Sequence, residues 1–305
     1  MPIIPSGYIT MKDFATSGGL CSQLQIFAGL KAVAKANNFK IAFSQKMIDG
    51  VTTYYPPAKT DIHHYIRIFD LLDLEYELKP DNFFNNFRDR HINYHTTRYD
   101  ETLFSLDPYL SYNLIGRFDT YIYWYNDIKE EVEAWEYTDI LQKQAIENMN
   151  KIKNKIGDKP TVSIHFRRGD YLDSQFANAF CILDQDYYLK AITQNFTPIK
   201  DYNFLVFSND IEYAKSVLEG DNIWFIEPKG HIQSTSSEKE DVALMSLCDH
   251  HIISNSSYSW WGAFLSKNKN KKIICPTSWM KATHPSSWMN GNYYPPNWIN
   301  IDNEN

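Results

Sequence analysis

Ser163-Ile164-His165-Phe166-Arg167-Arg168-Gly169-Asp170-Tyr171 is the stretch from which the rest of the chain is read. Val162, Ile164 and Phe166 alternate with smaller or polar residues, as in a strand that buries one face, and Gly169 lets the chain turn. Arg167 and Arg168 therefore stand where a strand ends. In an open α/β sheet, ligands bind at the carboxyl ends of strands, and two guanidinium groups there offer rigid donor forks suited to phosphate oxygens. Asp170 is placed to brace them. Taken alone, the dipeptide reads equally as an exposed arginine pair with an acidic neighbour.

The chain around this stretch alternates regularly. Strands are expected at Val162–Phe166, Phe204–Phe207, Ile223–Ile226, His251–Ser254 and Lys272–Cys275. Helices are expected between them at Asp186–Asn195, Ile211–Leu218, Ser237–Cys248 and Ser257–Ser266, the third opened by the capping-box spacing Ser237-x-x-Glu240. Alternation of this kind implies a parallel sheet covered on both faces. Ser256 and Ser257 fall where the fourth strand gives way to a helix, where free N–H groups and the helix dipole favour an anion. An ordinary Ser N-cap explains the local sequence as well. With Arg167 and Arg168, the pattern is two phosphate-binding devices at strand ends of one sheet, which reads as a diphosphate pocket.

Toward the N-terminus, Tyr8–Ala15 reads as a strand, Gly18-Gly19 as a turn, Gln23–Asn37 as a helix and Phe39–Phe43 as a second strand. The Gly-x-Gly-x-x-Gly spacing of a dinucleotide site is missing. Residues 51–125 are rich in Tyr, Phe, His and Asn, and Tyr121-Ile122-Tyr123-Trp124-Tyr125 is a candidate platform for stacking on sugars, with Tyr123 and Trp124 as acceptor contacts; a buried aromatic strand is the alternative. His91 and His95, four apart, lack a supporting carboxylate or thiol, and His63-His64 has no better claim to a metal. Glu130–Asn150 reads as a polar helix and Lys151–Pro160 as a linker, which divides the chain into an acceptor-side domain at 1–155 and a donor-side domain at 156–305.

Composition narrows the class. The 305 residues carry 30 basic and 37 acidic side chains, a net charge of −7, so nucleic acid and anionic membranes suit the chain as a whole poorly. No apolar run reaches the roughly 20 residues of a membrane span, and residues 1–17 show no signal-peptide pattern, so cytoplasmic residence is expected. Cys21, Cys181, Cys248 and Cys275 are scattered without a Cys-x-x-Cys pair, which suits reduced thiols. No Asp-x-Asp stands at a strand end, so no metal or other cofactor is expected. The sequon Asn255-Ser256-Ser257 lies in the phosphate stretch, where a glycan would block the site.

His165-Phe166-Arg167-Arg168-Gly169-Asp170 resembles the His-x-Arg-Arg-x-Asp motif of the α1,2-, α1,6- and O-fucosyltransferase superfamily. With Val206–Asp210 and the run from Glu240 through Asn255–Ala263, the C-terminal half is similar to the bacterial α1,2-fucosyltransferases of glycosyltransferase family 11. Ser17–Leu24 is similar to the family's Gly-Gly-Leu-Gly-Asn-Gln opening but departs at Cys21 and Ser22. The resemblance implies an α/β fold of GT-B type, two Rossmann-like domains facing a cleft, with the Trp- and Pro-rich tail 276–305 packing back on the first domain. It also implies inverting transfer of L-fucose from GDP-fucose to the 2-hydroxyl of a terminal β-galactoside in O-antigen synthesis, with at most peripheral membrane contact through a lipid-linked acceptor. By the same resemblance, His165 and Asp241 hold guanine, Arg167, Arg168, Ser256 and Ser257 hold the β-phosphate, and Gly19, Cys21, Ser22 and Asp210 complete the donor site. A carboxylate accepts guanine N1–H and N2–H as a pair, although Asp241 is also explained as a first-turn helix charge. A Cβ at Cys21 would penalise a left-handed backbone where the family has glycine. Arg167 and Arg168, braced by Asp170, are the catalytic candidates for stabilising the leaving group, and the base is open: related α1,6-enzymes have a glutamate where this chain has Gln175, leaving Asp173 and Asp13. Transfer of another GDP-6-deoxy sugar, or a non-catalytic sugar-nucleotide-binding module, would keep the same nucleotide contacts.

Overall fold

The alternating strand and helix signals resolve into two sheets, both parallel throughout, in the computed structural model, which describes residues 7–16, 18–50, 65–92, 99–226 and 235–303. The chain divides into units Met1–Glu136 and Tyr137–Asn305. The expected boundary at 155 moves to the other side of a helix, because Asp139–Ile156 packs its Met149 and Ile152 into a core of the second unit.

The first unit contains β1 (Tyr8–Thr10), α1 (Leu20–Ala36), β2 (Lys40–Phe43), α2 (Gln45–Ile48), β3 (Glu77–Leu78), β4 (Arg88–His91), β5 (Tyr112–Ile115) and α3 (Tyr125–Glu133). Its strands lie in the order β3-β2-β1-β5-β4. α1 buries Leu24, Phe27, Leu30 and Ala34, and stops where Asn38 takes a φ of 54°, a conformation asparagine tolerates. The side chain of the preceding Asn37 donates to the Val33 and Leu103 carbonyls at 2.8 Å, tying that end to a distant loop. The single helix expected over Glu130–Asn150 is two, parted where Trp135 and Tyr137 enter the core.

The second unit contains α4 (Asp139–Ile156), β6 (Thr161–Phe166), α5 (Ser174–Ala177), α6 (Gln185–Asn195), β7 (Asn203–Ser208), α7 (Ile211–Val217), β8 (Ile223–Phe225), α8 (Thr235–Ser246), β9 (His250–Ile252), α9 (Ser257–Phe264), β10 (Ile273–Pro276) and β11 (Ile299–Ile301). The order β11-β10-β9-β6-β7-β8 is that of a doubly wound nucleotide-binding sheet, and its direction reverses between β6 and β9. The tail expected on the first domain instead completes this sheet: β11 pairs in parallel with β10, Ile274 opposite Ile299.

All six β6 residues are buried. Val162, Ile164 and Phe166 join Tyr187, Tyr188 and Phe196 in one core, whereas Leu205 and Phe207 of β7 meet Leu244 and Met245 of α8 in another. The alternate residues of β6 are polar and find partners across the seam with β9. Thr161 donates its N–H and hydroxyl to Asp249 Oδ2 at 2.8 and 2.9 Å, Ser163 Oγ lies 2.8 Å from His251 Nδ1, and His165 Nδ1 lies 2.8 Å from Ser254 Oγ.

Burial keeps both histidines neutral: desolvation, then the Arg167 charge, pushes His165 down to about 3, and desolvation, then Lys271 and His250, holds His251 well below its usual value. The unfolded chain takes up protons below about pH 6.5 that the folded chain refuses, so these groups lower stability as pH falls from 6.5 toward 3, by about 1.4 kcal/mol per pH unit for each. Urea unfolding between pH 7 and pH 5 should show this slope. Replacing His251 by Asn should flatten it by about one proton whatever the baseline cost; an unchanged slope would exclude His251 as a contributor.

Candidate diphosphate site

β6 ends at Phe166, and the next residues are held individually. Arg167 donates from Nη2 to Asp170 Oδ2 at 2.7 Å and lies over the Tyr171 ring, 4.9 Å from its centroid. Arg168 donates its backbone N–H to Asn209 Oδ1 at 2.9 Å and its Nε to Asp210 Oδ2 at 3.2 Å, with the guanidinium 3.5 Å from the Tyr213 ring centroid. Asp210 also caps α7, its Oδ1 accepting the Tyr213 N–H at 3.2 Å. One carboxylate thus fixes a helix start and a guanidinium. The expected donor contact at Asp210 is, in this geometry, a contact that orients Arg168. Gly169 turns the chain with a φ of 40°, and a Cβ there would come within 2.4 Å of Asn209 Nδ2.

Across the point where strand order reverses, the segment after β9 is pinned by side chains from elsewhere in the unit. The Tyr187 hydroxyl donates to the Ile253 carbonyl at 2.5 Å, and the Tyr171 hydroxyl donates to the Asn255 carbonyl at 3.0 Å. Asn255 Nδ2 donates to the Cys181 and Trp279 carbonyls at 2.7 and 3.0 Å. Ser256 caps α9 by accepting the Tyr258 N–H at 3.4 Å, so the capping explanation holds for it. It does not exclude an anion, because a capping hydroxyl retains its own proton for donation. Ser257 opens α9, half-buried.

The structure brings His165, Arg167, Arg168, Asp170, Asp210 and Ser256 together through these contacts and through the His165 to Ser254 link. Asp173 is exposed just beyond. Asp241 is half-buried well inside α8, past its first turn, which removes the first-turn charge as its explanation. Asn209, Tyr171, Tyr187 and Tyr213 were missed as positioning groups; Tyr213, three residues after Asp210 at a helix start, had the spacing that would have signalled a cap.

The remaining candidates belong to the first unit. Gly19 is the extended residue before α1, Cys21 is buried in its first turn and Ser22 is half-buried. The backbone at Cys21 is helical and the left-handed φ falls on Gly18, at 117°, so the Cβ of Cys21 meets no left-handed backbone. Asp13 is half-buried after β1; burial, then the neighbouring Asp89, raises its carboxyl, opposed by Lys12. Tyr123 and Trp124 are core residues, the Tyr123 hydroxyl accepting the Asp100 N–H at 3.1 Å, so they are not an open stacking platform. The half-buried Tyr121 and Tyr125 stay at the surface. All four cysteines are free thiols. Among the described residues no helix is long and apolar enough to cross a membrane. His63, His64 and His95 lie outside the described residues.

A family model described as Glycosyl transferase family 11 matches residues 59–302. The chain is 33% identical over 136 residues to the O-antigen biosynthesis glycosyltransferase WbnK of Escherichia coli, covering 43% of this chain and 44% of that protein. It is 32% identical over 148 residues to an alpha-1,2-colitosyltransferase of Escherichia coli, covering 47% and 48%. The matches therefore span about half the length of these relatives. Among solved structures, a variant of Arabidopsis thaliana FUT1 in complex with GDP aligns at 13% identity with a TM-score of 0.51 over 88% of this chain and 70% of that one. That likeness shows the fold, α/β and GT-B-like.

Gly169→Ala should destabilise the protein by about 1–2 kcal/mol, from the left-handed backbone and the clash with Asn209. In an Asn209→Ala background, which already lacks the bond to the Arg168 N–H, the same change should cost less. Urea titrations of the two single variants and the double variant check this, and an equal cost in both backgrounds would show that the contact is not what requires glycine.

Proposed function

Because the chain belongs to glycosyl transferase family 11, with the match running through residues 59–302, we propose that it transfers L-fucose from GDP-fucose, with inversion, to the 2-hydroxyl of a terminal β-galactoside during O-antigen assembly in the bacterial cytoplasm. The observation that carries this reading is the pair Arg167 and Arg168, each oriented by its own carboxylate, at the end of β6 beside the reversal of strand order. In the proposed mechanism the two forks bind the β-phosphate, Ser256 and Ser257 add hydroxyl and helix-terminal donors, and neutral His165 with Asp241 takes the guanine. Charge developing on the departing GDP meets donors already in place, an effect worth about 10²–10³ in rate per donor. Arginine takes the place of a metal ion in neutralising the diphosphate. Asp13, whose raised carboxyl suits a proton acceptor, and the exposed Asp173 are the candidates for activating the acceptor hydroxyl.

A second donor is favoured by a specific observation: the chain is 32% identical over 148 residues to an alpha-1,2-colitosyltransferase. Colitose is L-fucose without its 3-hydroxyl, so both donors share every nucleotide contact. Competition between GDP-fucose and GDP-colitose, with lactose, N-acetyllactosamine and galactosyl-β1,3-N-acetylgalactosamine as acceptors and linkage mapped by NMR, distinguishes them. An α-linkage to galactose O2 is expected; a different linkage would overturn the proposed regiochemistry or stereochemistry.

Two further outcomes test the arginine clamp. Turnover and GDP binding should persist in EDTA, and loss that is restored by Mn²⁺ or Mg²⁺ would refute metal independence. Arg167→Lys, which keeps charge but removes the planar fork, should lower kcat at least tenfold, and near-normal turnover would remove Arg167 from that role.

A further inference from the structure

The edge of the second sheet opposite the arginines carries a different kind of positive charge. In a parallel sheet all loops that enter strands lie along one edge, and here β10, β9, β6 and β7 are consecutive neighbours. Lys267, Lys269 and Lys272 precede β10, Lys155 and Lys159 precede β6, and Lys200 precedes β7; all six are exposed. The loops are in contact, Lys159 Nζ donating to the Lys200 carbonyl at 2.8 Å and Lys272 Nζ to the Asn195 carbonyl at 3.1 Å. The acidic groups on the same stretch are Asp158, Asp201 and Asp249, the last turned inward onto Thr161. A chain with a net charge of −7 thus gathers lysine along one edge, and the band ends at the loop before β8, where Glu219 and Asp221 are exposed.

The same edge exposes aliphatic side chains. Ile199 is 40% exposed before β7, Leu247 is 36% exposed before β9, and Ile299, the first residue of β11, is 38% exposed. Lysines interspersed with protruding aliphatic groups match a lipid surface, where the ammonium groups meet anionic headgroups and the aliphatic ones enter the acyl boundary. The edge lacks what single-stranded nucleic acid would use: these loops carry no arginine, and of their aromatic residues Phe196 is buried and Tyr202 is half-buried against the core. We propose that this edge docks on an anionic bilayer. The six residues of β6 would then hold Arg167 and Arg168 about 20 Å from the headgroups.

Co-sedimentation with vesicles tests the proposal. The full chain should bind phosphatidylglycerol/phosphatidylcholine vesicles, less at higher salt, and should not bind pure phosphatidylcholine. The variant Lys267→Glu/Lys269→Glu/Lys272→Glu should lose at least about tenfold in partitioning with an unchanged melting midpoint. Ile199→Ser/Ile299→Ser should lose several-fold while keeping the salt dependence. Failure to bind anionic vesicles, equal binding to neutral ones, wild-type binding by the lysine variant, or tighter binding to a single-stranded oligonucleotide than to vesicles would each overturn it.

Discussion

A buried hydroxyl or imidazole has to find a partner, because leaving it unpaired away from water costs more than the bond it then makes contributes. The second unit uses that requirement to place its strands. β6 is covered on both faces, a setting in which strands are usually apolar along their length, yet Thr161, Ser163 and His165 alternate with its three apolar residues. Their partners, Asp249, His251 and Ser254, all come from the β9 segment. No other neighbour of β6 offers that row, so the polar side chains select β9 for one flank and leave β7 for the other. The reversal of strand order, beside which the proposed site lies, follows from satisfying three buried side chains.

Backbone carbonyls at and just beyond the carboxyl ends of β6 and β9 have the same problem, and tyrosines solve it. Tyr188 donates to the His165 carbonyl at 3.2 Å, Tyr187 to that of Ile253 and Tyr171 to that of Asn255. Each ring is also packed: Tyr188 stacks on Phe166 at 3.7 Å, and Tyr171 on Phe180 at 4.5 Å. Burial raises these hydroxyls, Tyr171 to about 12, so they remain protonated donors at neutral pH. Loops that would otherwise move are thus fastened to the core on both sides of the site. This is what a preorganised binding surface requires.

The second unit was legible because its signals are local. Apolar alternation at Val162–Phe166, the helix start at Ser256, and an arginine pair at a strand end all lie within a few residues of what they determine. Partnerships between distant residues were not legible. Nothing in the sequence near Tyr187 says that its hydroxyl will meet Ile253, and Asp210 reads as a ligand contact until Arg168 is seen beside it. The first unit suffered most from this. Its short strands follow long connections, Tyr123 and Trp124 have the composition of a sugar platform but the surroundings of a core, and the tail's apolar residues gave no sign of which sheet β11 would join.

Positive charge is used in two ways along the strands of one sheet. At the carboxyl edge each arginine is matched by an aspartate, Arg167 by Asp170 and Arg168 by Asp210, with the guanidinium side chains 29% and 17% exposed. Partly solvated pairs of this kind add little stability, so their effect is geometric. They hold forks in a fixed direction and leave the local charge near balance, which favours a ligand by the placement of its oxygens more than by long-range attraction. At the opposite edge the lysines are long, exposed and only partly offset, an arrangement that acts through summed potential and tolerates variation in spacing. Arginine suits the first use because its donors are planar and fixed, and lysine suits the second because its charge is mobile and strongly hydrated. The division follows the chemistry of the two side chains, and it would let an acidic protein carry the proposed anion site without a net positive surface around it.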